Sequence, residues 1–239
     1  MIHKRNVLKV VMILIVIAFY FRIFSITKIS QIVERKVPQT LRSQQTNLYC
    51  LRYNDMERPK SPPKLMEALF DAVDILKEGT GEYSLAFGTL LHMYRNCGLL
   101  PDSNDVDLSV PLSRLTSDFL EQFYSRGWKY CRSFGKEGQH GYEVALTHPN
   151  GERIDIYGET FEGDFTWQAV WVKRRAFMCA YETPTTWYTL HVGNGVKFQV
   201  HGKPEDFFKT IYGMDWKTPK PTKTYNWINP RCIRSEYTF

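Results

Sequence analysis

The segment LLPDSNDVDLSV, Leu99–Val110, sets three aspartates within six positions: Asp102, Asp105 and Asp107. From Asp105 on, acidic and apolar residues alternate as Asp105, Val106, Asp107, Leu108. A period of two is that of a strand, whose side chains point to opposite faces in turn. The alternation predicts a strand over Asp105–Val110, with Val106 and Leu108 towards a helix layer. Asp105 and Asp107 then stand side by side on the other face. Neighbouring carboxylates repel, and the cost grows as water is excluded. A divalent cation removes that cost. A few hard oxygen ligands suit Mg2+ or Mn2+, which leave room for a substrate phosphate. Taken alone, a D-x-D pair reads more simply as an exposed acidic edge strand.

Other segments shift that balance. RIDIY, Arg153–Tyr157, puts Asp155 between Ile154 and Ile156, a third carboxylate on an otherwise apolar strand. Upstream, Gly88 and Thr89 mark a strand-to-helix turn that can offer backbone N–H groups to an anion. Arg95 follows about two turns along that helix and could grip a phosphate bidentately. An apolar-Gly-Thr turn, a D-x-D strand and a later third Asp make up the arrangement of the nucleotidyltransferase fold. The three together are far more specific than any one.

The charge is unevenly spread. The net formal charge is +6, yet residues 1–64 carry 12 Lys/Arg against 3 Asp/Glu, and residues 65–239 carry 19 against 22. A nucleic-acid binder should show its basic patch on the folded domain, so no nucleic-acid partner is expected. The N-terminus reads MIHKRNVLKVVMILIVIAFYFRIF, an apolar run between Lys9 and Arg22. Counting residues 7–24 gives a span near the lower limit of about 17–25 for a membrane helix, with the flanking charges snorkelling. No small-residue cleavage site follows it. The expectation is a single-pass type II signal anchor: residues 1–6 cytosolic, 7–24 spanning, 25–60 a stem, and 61–239 a lumenal domain. Five cysteines lack any CxxC or zinc spacing. Disulfides are compatible with a lumen, with one thiol left over and the pairing open. There is no N-glycosylation sequon.

Within the domain, SPPKLMEALFDAVDILKEG reads as a helix with Ser61 as N-cap, Pro62 in its first turn and Gly79 past its end. A strand is expected over 83–87. A helix from Pro111 to about Arg126 follows the D-x-D strand, then strands near 128–134 and 141–147. HPNG, His148–Gly151, is a hairpin turn. Residues 165–200 are aromatic and β-rich, and KPEDFFKTIYG is a short helix.

FGTLLHMYRNCGLLPDSNDVDLSV resembles the signature of the LicD/fukutin family, on its fukutin side. GVKFQVHGKPEDFFKTIYGMDWKTPKPTKTYNW resembles that family's ending, Y-G-x-x-W-x-x-P and then a Trp. The likeness covers about residues 80–227. It implies an α+β, nucleotidyltransferase-like domain: a short mixed sheet bearing three Asp and flanked by helices, here behind a transmembrane helix. It implies transfer of a phospho-alditol or phosphocholine group from a CDP-linked donor to a glycan or glycoprotein acceptor. For fukutin that group is ribitol phosphate, and the setting is Golgi glycosylation. Asp105 and Asp107 match the metal-binding pair and Asp155 the third acid. Gly88, Thr89 and Arg95 match the phosphate side. Asp215 and Trp216 fall in the closing motif, with a positioning or packing role. Bacterial members carry more acids just before the pair, where this chain has Asp102, Ser103 and Asn104. The chain is also shorter than fukutin-type enzymes generally are.

The expected function is metal-dependent transfer of a ribitol-phosphate-like group in the Golgi or endoplasmic reticulum, in association with other glycosylation enzymes. Two alternatives stay open: a D-x-D glycosyltransferase using a nucleotide sugar, and a catalytically silent subunit partnering an active homologue.

Overall fold

A computed structural model describes residues 46–52, 54, 59–162, 165–172, 175–182, 187–220 and 232–238, without side-chain surroundings at 162, 171–172, 175–177, 181–182 and 232–238. The expected cytosolic tail, the span at 7–24 and most of the expected stem lie outside these residues. So does the last Trp of the closing motif. Among the described residues no helix is long and apolar enough to cross a membrane.

The domain begins before residue 61. Strand β1, Thr46–Tyr49, pairs in parallel with β9, Trp187–Gly193, and Cys50 is disulfide-bonded to Cys97. This short polar segment shows no alternation that would mark it. Its strand state comes from a partner about 140 residues away and from the covalent tie.

Helix α1, Pro63–Gly79, buries Leu65, Leu69, Ala72 and Leu76 at helical spacing, each fully enclosed. Ser61 is not its cap. Pro62 holds that place, and the Ser61 hydroxyl donates instead to the Leu99 carbonyl at 3.2 Å. Strand β2, Ser84–Leu85, leads into helix α2, Phe87–Asn96, and then into β3, Asp105–Pro111. The long helix expected from Pro111 is broken. Leu112–Arg114 forms one 3₁₀ turn, and helix α3, Ser117–Ser125, starts anew at Thr116, whose hydroxyl accepts from Phe119 N–H at 3.2 Å.

Strands β4, Lys129–Phe134, β5, Glu143–Thr147, and β6, Arg153–Glu162, complete the site's sheet. The His148–Gly151 turn joins β5 to β6 as expected, with Gly151 at φ 95°. β6 pairs in parallel with β3 on one side and antiparallel with β5 on the other. The helix α3 and β4–β5 excursion supplies the crossover that a parallel pair requires. The last residues of β6 turn to β7, Phe165–Val172, which pairs with β8, Arg175–Glu182, and β8 in turn with β11, Cys232–Thr238. Cys179 is disulfide-bonded, and the backbone register sets Cys232 opposite it. Cys131 is a free, exposed thiol. A second sheet joins β1, β9 and β10, Val196–His201, and helix α4, Pro204–Ile211, follows. The fold is therefore α+β with mixed sheets.

The core lies on one face of β3, β6 and β5. Val106, Leu108, Val144, Leu146, Ile154 and Ile156 all have zero exposure there, in one cluster with the apolar face of α1. Period-two alternation leaves Asp105, Asp107, Arg153, Asp155, Tyr157 and Glu143 to the opposite face.

Candidate active site

The parallel register of β3 and β6 sets Asp107 beside Asp155 and Asp105 beside Arg153. The three predicted acids thus share one face, two of them directly opposed.

Asp107 is held by the β2–α2 turn. Gly88 N–H donates to its Oδ2 at 3.1 Å, and the Thr89 hydroxyl accepts from its backbone N–H at 2.8 Å. Phe87, just before, sits at φ 35°, a strained region that side chains rarely adopt. That conformation aims the Gly88 N–H at the carboxylate. A Cβ on Gly88 would lie 3.3 Å from Asp107 Oδ2, a tight contact that the carboxylate could accept only by shifting a few tenths of an ångström. Gly88 and Thr89 therefore act on Asp107 itself, a role the sequence reading gave to a phosphate. From β6, the Tyr157 hydroxyl donates to Asp107 Oδ1 at 3.2 Å, with its ring 4.6 Å from that of Phe87.

Among the described residues, every donor to Asp107 is neutral. Burial, then Asp105, then Asp155 push its carboxyl well above the ordinary range. Asp155 is 3 % exposed and is also pushed up, mainly by burial, against the pull of Arg153 and Arg132.

Two arginines that the sequence reading passed over complete the face. Arg153 hydrogen-bonds Asp105 Oδ2, and its Nε lies 3.3 Å from Asp155 Oδ1. Arg132, from β4, donates to Asp155 Oδ2 at 2.9 Å and to Glu143 Oε1 at 3.4 Å. Glu143 is pushed up to about 7, first by burial and then by Asp155. His92, on α2, is pushed down to about 4 by burial and by Arg95, against Asp102 and Asp105, so its ring is neutral near pH 7. Arg153 and Tyr157 flank Asp155 at two-residue spacing, so alternation alone could have flagged them. Arg132 could not be found that way. The β4 register shifts between Tyr130 and Arg132, and only this bulge turns Arg132 towards Asp155.

Three predicted residues lie elsewhere. Arg95 is 7 % exposed and donates to the Trp216 carbonyl at 2.9 Å. It ties α2 to the closing motif and is not free to meet a phosphate. Trp216 is 2 % exposed and packs on Phe208, with ring centroids 4.8 Å apart, a core position. Asp215 is exposed and ion-paired with Lys220.

Among the described residues, no three His, Cys, Asp or Glu side chains converge closely enough to hold a metal ion as they stand. Asp105 is turned to Arg153, and Asp155 to both arginines. The donor chemistry nevertheless fits a hard cation. Among the described residues Asp107 has no cationic partner; it is only partly buried and stands beside the carboxylates of Asp105 and Asp155.

An α+β domain with this mixed sheet and acidic face fits the nucleotidyltransferase class. Residues 81–191 match the family model described as LicD/FKTN/FKRP, nucleotidyltransferase domain. The chain is 31% identical over 163 residues to ribitol-5-phosphate transferase FKTN of Mus musculus, covering 67% of this chain and 34% of the relative. The Homo sapiens protein of that name is 28% identical over 145 residues, 60% of this chain and 30% of the relative. These matches place the domain in the LicD/fukutin family. The chain spans about a third of the length of the curated relatives it matches.

Proposed function

We propose that this chain transfers a phospho-alditol group, of the ribitol-phosphate type, from a CDP-linked donor to a glycan acceptor. The observation that carries this reading is Asp107. It is fixed by neutral donors from the β2–α2 turn and β6, next to Asp105 and opposite Asp155, on the coreless face of the sheet. The activity for which the relatives are named supplies the kind of group.

The acceptor hydroxyl attacks the phosphorus of the phospho-alditol. A new O–P bond forms, the bond to CMP breaks, and CMP leaves with the electron pair. Asp155, raised by burial, takes the hydroxyl's proton. Gly88 and Tyr157 hold Asp107 in one orientation throughout. Asp105 and Asp107 would hold Mg2+ or Mn2+, with Asp155 alongside, and the ion would neutralise charge on the donor's diphosphate. We place the protein in the Golgi or endoplasmic reticulum membrane with this domain lumenal. The Cys50–Cys97 disulfide suits such an oxidising compartment.

The test incubates the purified chain with Mg2+ or Mn2+ and a panel of CDP-ribitol, CDP-glycerol, CDP-choline, UDP-sugars and GDP-sugars. CMP release from a CDP-alditol, lost in Asp105→Asn, is the expected result. Turnover of a nucleotide sugar alone would make the chain a glycosyltransferase. A second reading, a silent partner subunit, draws on the arginines already bound to Asp105 and Asp155. It expects no metal-dependent CDP binding at all.

A further inference from the structure

Across four neighbouring strands the site alternates in charge: Asp105 on β3, Arg153 and Asp155 on β6, Arg132 on β4 and Glu143 on β5. Each guanidinium bridges two carboxylates. Arg153 links Asp105 and Asp155, and Arg132 links Asp155 and Glu143. The bridges are poor ones. A guanidinium carries five donors and matches a carboxylate best as a two-pronged fork. Here Arg132 reaches both its acids through Nη2 alone, while Arg153 reaches Asp105 through Nη2 and Asp155 only through an Nε 3.3 Å away, and among the described residues neither buried Nε makes a hydrogen bond.

The arginines are also the outer layer. Their side chains are 36% and 35% exposed, against 5% for Asp155 and 4% for Glu143 beneath them. An anion arriving from solvent meets guanidinium before the carboxylates of Asp155 and Glu143, and Asp105 is as exposed as Arg153. Arg132 has a second support, its guanidinium lying 5.2 Å from the Phe134 ring centroid. That contact does not depend on the acids.

We propose that Arg132 and Arg153 are a diphosphate-binding pair, kept occupied by Asp105 and Asp155 until a divalent cation takes Asp105. The nature of the anion rests on the function proposed above. With Asp105 engaged by a cation, Arg153 loses a carboxylate partner and its donors turn to an incoming diphosphate. The same exchange relieves Asp155, leaving it available to the acceptor hydroxyl. Cation and diphosphate then favour each other's binding, as linkage requires. The cation has to displace Arg153, whereas Arg132 makes no contact with Asp105.

The two arginines therefore differ in a measurable way. Full-length chain is titrated by calorimetry with Mn2+ alone, and with inorganic diphosphate at saturating Mn2+. Arg153→Gln should bind Mn2+ alone several-fold tighter and diphosphate about tenfold weaker. Arg132→Gln should weaken diphosphate by a similar factor and leave Mn2+ alone unchanged. Arg153→Lys keeps the charge and guards against a folding failure. It should fall between wild type and Arg153→Gln on both axes. If Arg153→Gln and Arg153→Lys bind Mn2+ no tighter than wild type, or if both ligands weaken together, the pair is merely structural and the proposal falls. CMP release from CDP-ribitol is followed in parallel. Opposite shifts without turnover would keep the arginine pair and remove the CDP-transferase reading. Turnover without opposite shifts would do the reverse.

Discussion

On β6 the carboxylates of Asp155 and Glu159 face the same side of the sheet, four residues apart, at 3% and 4% exposure. Around Glu159 the chain has built fixed partners. Ser109 Oγ donates to its Oε1 at 2.7 Å, Gln168 Nε2 donates to the same oxygen at 3.0 Å, and His201 Nδ1 lies 3.6 Å from Oε2. These come from β3, β7 and β10, so the carboxylate fastens three strands to a fourth. Around Asp155 the partners are two half-exposed arginines, and two more aspartates stand beside it. The same residue chemistry on one strand face thus yields a brace at one end and a frustrated charge cluster at the other. Neutral donors hold Glu159 as they hold Asp107, so it is the crowding of like charges that separates the two ends. A buried acid with like charges and long, displaceable cations is the mark of a site that expects a further ligand.

That contrast can be broken by substitution. Asp107→Asn should lower CMP release by about a thousandfold or more, since it removes charge where the cation would bind. It should not lower the melting temperature, because it also removes a like-charge neighbour and keeps an acceptor for Gly88 N–H. A melting temperature well below wild type would make Asp107 a brace like Glu159. Glu159→Ala should do the opposite. It strands Ser109 and Gln168 in the core at a cost on the order of 3 kcal/mol, while turnover per folded molecule stays within about twofold of wild type. Equilibrium unfolding in urea and active-site-normalised rates read the two effects separately.

A third test uses pH. Glu143 is raised from 4.5 to about 7. The folded chain keeps this proton where the unfolded chain has released it, so stability declines as pH rises from 4.5 through about 7. Glu143→Gln should remove on the order of 3 kcal/mol of that decline, seen as a flatter pH dependence of the urea midpoint. An unchanged slope would mean that Glu143 is ionised throughout, alongside Arg132. The mildest change is Gly88→Ala, whose methyl would press on Asp107 Oδ2 at 3.3 Å. A loss of roughly tenfold in turnover is expected from so small a displacement, with the metal requirement retained.

The strands bearing these acids could be read from period two alone, because one face of β3 and of the first half of β6 is apolar. Asp105, Asp107 and Asp155 come together as their alternation implies, and the Gly88–Thr89 turn lies where the residue types put it. Arg95 shows the limit. Helical spacing gives its distance along α2 but not its direction, and a closing motif about 120 residues later claims its guanidinium. Arg132 was hidden by a bulge and Glu143 by a strand register that only pairing sets. The 3₁₀ break after Pro111 escaped notice because Leu112 and Leu115 keep helical spacing across it. β1 went unseen because nothing in Thr46–Tyr49 names a partner as distant as β9.

The Cys50–Cys97 bond has a mechanical consequence. Cys50 closes β1, and Cys97 caps the far end of α2, the helix that begins at Phe87 and Gly88. Leu51 N–H also donates to the Tyr94 carbonyl at 2.7 Å, beside the same bond. Tension applied to the chain ahead of Thr46 therefore divides between the β1–β9 ladder, loaded in shear, and a covalent link into α2. The disulfide cannot slip, so the helix that orients Asp107 moves with the point where the chain enters the domain. A tug on the leading segment is carried straight to the rod that aims the acids.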